Sequence, residues 1–434
     1  MNILEIIRKK RDKENLSKEE IEFFINEYTN GRIQDYQASA LIMAIYLNGM
    51  NKEETANLAM AMGDSGEILD LSNLGETIVE KHSTGGVGDK VSLILLPIVA
   101  SLGVKVAKTS GRGLGFTGGT IDKLESIPGF RTEISDKEFI KHVKDIGISI
   151  VAQTKNLAPA DKKIYAIRDT ISCVDNIPLI ASSVMSKKIA CGADKIILEV
   201  AVGSGALMKD IESARKLAKE MIDIGNLAKR QTVAILTNMD EPLGYAIGNN
   251  LEVKEAVEFL KGSMPEDLKE LILNLGSYMI MLSGKNNDIE ENKKNMLENI
   301  KNGNAYKKFI ELVENQGGDI SYIEDTNKFK KSKYIEPIFS KKEGYLKSVK
   351  TEKIGEVANY LGAGRLEKDD KIDYSVGIVM NKKIGDFIKK GDILLYIHAN
   401  DKEKLEGAKK ELENCFEYTK DACDELKIIL EVIS

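Results

Sequence analysis

The sequence predicts an α/β protein: a small all-helical domain and a larger mixed α/β domain separated by a cleft, followed by a C-terminal β-rich α+β domain. Three observations carry this prediction. The first 65 residues show helical periodicity with clear punctuation at helix ends. From about Thr77, short β-branched runs alternate with longer amphipathic stretches, the pattern of a mainly parallel sheet covered by helices. Beyond Pro337, short strand-like runs separated by glycines dominate. A chain of 434 residues also exceeds one ordinary core, so two or three domains are expected.

Residues 1–70 make the first part of the helical domain. Ser17 and Glu20 form a capping box ahead of Ile21, Phe23, Phe24 and Ile25, Gly31 ends that helix, and Asn51 with Glu54 opens another that stops at Gly63. Residues 71–155 begin the α/β domain, with strands expected at 77–79, 104–106 and 148–151. Between Pro159 and Cys191 the pattern turns helical twice without a clear strand, so residues 156–192 are expected to return to the helical domain and leave a cleft. The α/β domain resumes over 193–335, with strands at 196–200 and 233–236 and a solvated Lys-, Asn- and Glu-rich surface over its last fifty residues. Residues 336–434 form the C-terminal domain, turned at glycines 344, 355, 362, 364, 377, 385 and 391.

Sixty-two basic against 68 acidic residues give a net charge of −6, which argues against a general nucleic-acid or membrane surface. No apolar stretch approaches the roughly 20 residues of a membrane helix, and no signal-like segment opens the chain, so the cytoplasm is the expected location. Cysteines 173, 191, 415 and 423 show no C-x-x-C or Cys/His ligand spacing, and with only three histidines, 82, 142 and 398, a zinc site is not expected; the cysteines read as ordinary reduced thiols.

The chemistry concentrates in two glycine-rich loops, residues 81–92 and 108–120. Nine of the 36 glycines lie in the forty residues 81–120. Each loop reads as a strand, an anion-cradling turn and a helix N-terminus, in which absent side chains let backbone N–H groups close on a ligand. Lys81, Ser83, Ser92, Lys108, Ser110 and Thr120 add donors and positive charge. Neither loop has a P-loop or dinucleotide fingerprint, so inorganic phosphate or a sugar phosphate is the expected ligand. On a regular helix after Pro159, Asp161, Tyr165 and Arg168 share one face; Ser183 and Lys187 share a face of the next helix. Taken singly such residues are usually solvated, but Ile180, Ala181, Val184 and Met185 around Ser183 point to a buried helix whose polar groups face a partner or a cleft.

The stretch Lys81-His82-Ser83-Thr84-Gly85-Gly86-Val87-Gly88-Asp89, the runs 110–115 and 117–129, Asn238 to Gly244, and Leu361 to Arg365 resemble the thymidine and pyrimidine-nucleoside phosphorylases across essentially the whole chain. The resemblance implies a helical, an α/β and a C-terminal domain, a homodimer through the helical domain, and reversible phosphorolysis of a pyrimidine nucleoside to base and pentose 1-phosphate, with inorganic phosphate as co-substrate and no required cofactor. It assigns phosphate contacts to Lys81, Ser83, Ser92, Lys108, Ser110 and Thr120, and base contacts to Tyr165, Arg168, Ser183 and Lys187. His82, Arg168 and Lys187 take the catalytic roles, His82 as general acid. Lys108 resembles the broad-specificity enzymes acting on uridine, thymidine and deoxyuridine; a strict thymidine phosphorylase would carry an apolar residue there. Phe116 stands where most relatives have histidine. The potassium-type ligands Gly88, Leu243, Ala246 and Glu255 are all present, but Lys90 replaces a common threonine, so either its ammonium takes the cation's place or it points to solvent. The rival readings are an anthranilate-phosphoribosyltransferase-like enzyme and a non-catalytic nucleoside-binding protein.

Overall fold

The computed structural model describes residues 1–113, 115, 118–154, 156–365 and 370–434. The chain opens with helices α1 (Ile3–Arg11), α2 (Lys18–Thr29), α3 (Asp35–Asn48) and α4 (Lys52–Gly63). Capping boxes at Ser17/Glu20 and Asn51/Glu54 begin α2 and α4, each satisfying two backbone donors that a helix start leaves open. The α/β region then runs through β1 (Val79–Ser83), α5 (Val91–Ser101), β2 (Val106–Ser110), α6 (Thr120–Glu125), α7 (Asp136–Ile146) and β3 (Ile148–Ala152). Helices α8 (Pro159–Thr170) and α9 (Ile177–Ala190) leave it again. Ala160, Ile164, Ile167, Cys173 and Leu179 share one buried core with Ile6, Phe24, Ile25, Leu41 and Met62, so α8 and the start of α9 complete the N-terminal bundle.

The chain returns through β4 (Lys195–Val202), α10 (Ile211–Leu227), β5 (Gln231–Asn238), β6 (Ala246–Ile247), α11 (Asn249–Leu260), α12 (Glu266–Leu282), α13 (Ile289–Lys301), α14 (Asn304–Asn315) and α15 (Ser321–Glu324). Strands β1, β4 and β5 pair in parallel. The parallel pair β2–β3 joins them through a single bridge between Ile78 and Lys105. Helix α5 is apolar nearly all round and buried from Val91 to Ala100 between this sheet and α12 and α14, the burial such a sequence requires.

The C-terminal region comprises β7 (Tyr334–Phe339), β8 (Gly344–Val349), α16 (Thr351–Ala358), β9 (Gly377–Met380), β10 (Phe387–Ile388), β11 (Ile393–Ala399), α17 (Lys402–Leu412), β12 (Phe416–Thr419) and β13 (Ile429–Ile433). Its sheets are antiparallel, in the orders β6-β9-β11-β7 and β10-β8-β12.

Two sequence expectations need correction. The first two strands do not stop before the polar motifs. They begin later than expected and run through Lys81-His82-Ser83 and Lys108-Thr109-Ser110, because pairing with β4 and β3 satisfies the backbone there. The C-terminal domain does not keep all of 336–434 either: β13 leaves it and pairs antiparallel with β5, making the edge of the α/β sheet.

Three chain segments cross between the helical bundle and the α/β part, and they lie side by side. Glu67 N–H donates to the Asn156 carbonyl (3.1 Å), and Leu69 N–H to that of Ala190 (2.9 Å).

Candidate active site

Both glycine loops leave the C-terminal ends of parallel strands, where open α/β sheets place their ligands. In β1, alternation puts Lys81 and Ser83 on one face, Glu80 and His82 on the other. Ser83 Oγ donates to Asp89 (2.8 Å) and accepts from Gly85 N–H (3.1 Å), folding the loop back on itself. Lys81 Nζ lies 2.6 Å from Glu199 of β4, both fully buried. Burial alone would lower the lysine pKa, but the Glu199 and Asp89 carboxylates hold it above its ordinary value, so the group stays charged. Ser92 is buried in the first turn of α5. Gly88 has φ +77°, and a Cβ there would stand 2.6 Å from the Leu243 carbonyl, so no larger residue fits this turn.

The second loop is held from three sides. Asp122 accepts from Gly113 N–H (2.7 Å), Arg112 (3.2 Å) and Arg365 of the C-terminal region (3.0 Å), and Asn359 donates to the Gly115 carbonyl. A Cβ on Gly119 would lie 2.2 Å from Gly113 N, so the two limbs of the loop can approach only because glycine is there. Ser110 ends β2, and Thr120 opens α6, both half-buried. Phe116 lies outside the described residues.

Across the boundary, Lys187 of α9 donates to Asp161 of α8 and to Ser183 Oγ (3.1 Å). The Tyr165 ring is 5.7 Å from the Arg168 guanidinium carbon. Arg168 departs from the sequence expectation of a cleft-facing guanidinium. It is 1% exposed, and its Nε, Nη1 and Nη2 donate to the carbonyls of Cys173, Leu179 and Val174 at 3.1, 3.0 and 2.8 Å. Its first task is to brace the α8–α9 turn.

His82 stands among cations. Burial, then Lys188, Lys108, Lys81 and Lys187, push its pKa well below the usual imidazole value, and its Nε2 is buried without a hydrogen-bond partner. Lys188, Glu80 and Glu199 form part of this site and escaped sequence reasoning. The Lys188–Glu80 pair spans 108 residues of chain and the Lys81–Glu199 pair spans 118, and the one local hint was the acidic residue directly before Lys81.

The potassium-type oxygens are already engaged. Lys90 Nζ, fully buried, donates to the carbonyls of Leu243 (2.7 Å) and Ala246 (2.9 Å) and to Glu255 (2.7 Å), while its own N–H takes the Gly88 carbonyl (2.9 Å). A potassium ion does not fit a set whose oxygens an ammonium already occupies. Among the described residues no cluster of three or more His, Cys, Asp or Glu could hold a metal ion, and no helix is long and apolar enough to cross a membrane.

Phosphate-type loops on a parallel sheet, faced by a helical bundle carrying basic residues, define a glycosyl transferase architecture. Residues 4–66 match the helical bundle domain of the glycosyl transferase family, residues 75–306 its a/b domain, and residues 345–419 the pyrimidine nucleoside phosphorylase C-terminal domain. The chain is 52% identical to pyrimidine-nucleoside phosphorylase of Geobacillus stearothermophilus over 95% of each chain, and 52% identical to that of Bacillus subtilis over 92% of each. It belongs to the pyrimidine-nucleoside phosphorylase family. Anthranilate phosphoribosyltransferase from Thermus thermophilus shares the fold, with a TM-score of 0.59 at 18% identity, covering 72% of this chain and 99% of its own.

Proposed function

We propose that the protein catalyses reversible phosphorolysis of pyrimidine nucleosides, namely uridine, thymidine and deoxyuridine, to free base and ribose or deoxyribose 1-phosphate. The observation that carries the reading is a buried cluster of lysines at the glycine loops. Lys81, Lys108 and Lys188 lie around His82, whose Nε2 has no hydrogen-bond partner, and Lys108 and Lys188 share the single carboxylate of Glu80. Phosphate is the anion such a cluster accepts. A phosphate oxygen forms the new bond to C1′ as the C1′–N1 pair leaves with the base, through an oxocarbenium-like state of the kind glycosides pass through. Lys187 and Arg168 stabilise the charge that develops on the base. His82 gives its proton to O2. The imidazole is neutral in the free enzyme, and a phosphate anion among its lysines raises its pKa, so it becomes an acid when the co-substrate is present.

Lys108 supports the broad substrate range. The Lys90 ammonium acts as a built-in monovalent cation, so the enzyme works without potassium. Tyr36, Ala40 and Leu47 form an exposed stripe on α3, which supports a homodimer through the helical domain. Four free cysteines go with a reducing cytoplasmic location. The deciding assay is release of uracil from uridine with and without phosphate. Release only with phosphate supports the reading. Absence of release, or turnover of a pyrophosphorylated sugar with an aromatic acid instead, overturns it.

A further inference from the structure

Two buried ammonium groups share one pair of acceptors behind the phosphate loops. Lys108 Nζ lies 3.0 Å from Glu80 Oε1 and 3.0 Å from the Thr109 carbonyl. Lys188 Nζ lies 2.6 Å from the same carboxylate oxygen and 3.3 Å from the same carbonyl. Lys188, Lys108 and Glu80 are 2, 4 and 1% exposed, so water does little to screen them. Glu80 and Lys108 belong to β1 and β2 and Lys188 to the end of α9, whose buried residues Ile180, Met185 and Ile189 share a core with β4, β5 and α10, so this carboxylate joins the sheet to the helix packed on it. One carboxylate cannot neutralise two ammonium groups, and Glu80 Oε2 is buried with no partner at all.

We propose that Lys188 is a positioning residue for the reaction: by holding Glu80 from α9, it keeps that carboxylate from capturing Lys108 and leaves the Lys108 ammonium available to the incoming phosphate. The inference rests on the phosphorolysis reading above. The groups facing Lys108 are Glu80, Lys81 and His82 from β1, and Lys188 with Cys191 from the end of α9. Burial lowers the Lys108 pKa to about 8, with Glu80 opposing the shift and Lys188 and Lys81 adding to it. Removing Lys188 takes away a repelling cation and gives Glu80 wholly to Lys108, so the Lys108 pKa rises and its ion pair tightens. Neutralising Glu80 does the opposite.

The test is uridine phosphorolysis at varied phosphate and pH for wild type, Lys188→Met, Lys188→Arg and Glu80→Gln, with thermal melts of each. Lys188→Met should raise KM for phosphate about tenfold, the scale of one strong polar contact, with a smaller change in kcat. It should move the alkaline limb of kcat/KM to higher pH, Glu80→Gln should move it to lower pH, and Lys188→Arg should restore the wild-type limb. Alkaline limbs that coincide with wild type in both neutral variants overturn the proposal. If Lys188→Met does not fold, Glu80→Gln decides alone, and if neither folds the pair is structural and the proposal falls. A wild-type protein that releases no uracil sinks the phosphorolysis reading instead, before any variant is compared.

Discussion

His82 is a neutral imidazole ringed by four lysines, and its environment makes a specific demand on the chemistry. An acid is needed at the base, yet the free site repels the proton, so protonation has to follow the anion. His82→Ala should therefore lower turnover by about 10² to 10⁴, the usual cost of losing a general acid, while KM changes little. Turnover within a few-fold of wild type from about pH 6 to 8 would remove His82 from the mechanism. Arg168 and Lys187 should separate in a different way. Arg168 holds three backbone carbonyls, and each acceptor left buried and unpaired costs about 1–3 kcal/mol. Arg168→Ala should lose both melting temperature and activity, and Arg168→Lys should not rescue it, because one ammonium cannot span three carbonyls. The Lys187 side chain is 22% open, so water can reach Asp161 when it is gone; Lys187→Ala should lose catalytic efficiency with a smaller thermal cost. Equal thermal losses in the two would count against this division of labour.

At the level of elements, Lys90 ties three of them together: the first glycine loop, the segment around β6, and α11 through Glu255. Wild-type activity should be the same in sodium and potassium. Lys90→Thr leaves two carbonyls and a carboxylate without their cation, so it should lower the melting temperature, and potassium should restore both stability and activity by binding the folded state. A wild-type enzyme that loses activity when sodium replaces potassium would refute the built-in cation. Which elements were legible follows from how local their signals are. Helices α2 and α4 announce themselves within four residues, through Ser17/Glu20 and Asn51/Glu54. Strands β1 and β2 were placed too early because their second halves are polar, and hydrophobic periodicity cannot register a residue that is in a strand for its backbone and in a site for its side chain. Lys81, Ser83, Lys108 and Ser110 could be named as a donor set from glycine spacing. Glu80 and Lys188 could not, since their contact exists only once α9 has packed back against the sheet. Strand β13 was assigned to the wrong domain for the same reason: its partner β5 lies nearly two hundred residues upstream.

For the whole molecule, the proposed phosphate donors stand on the α/β part and the base donors on the helical bundle, with three adjacent crossing segments between them. Neither ligand alone can reach both sets, so closure should need both. Small-angle scattering should show a particle of twice the chain mass that compacts with phosphate and a nucleoside analogue together, and not with either alone. No compaction with the pair would count against closure. Strand β13 carries a further consequence. The sheet that carries the glycine loops is completed by a strand made nearly two hundred residues after its neighbour β5, and β6, from the middle of the chain, pairs with β9 of the C-terminal region. Until Ile429–Ile433 have been made, therefore, the β5 edge stands open, a template for pairing with any neighbouring nascent chain. The second glycine loop likewise waits for Asn359 and Arg365 to be made. A chain that stops short of Asn359 would thus be an incomplete sheet with a loose loop, a target for chaperones and proteases, and the candidate site would come into being only once the C-terminal region and β13 have been made.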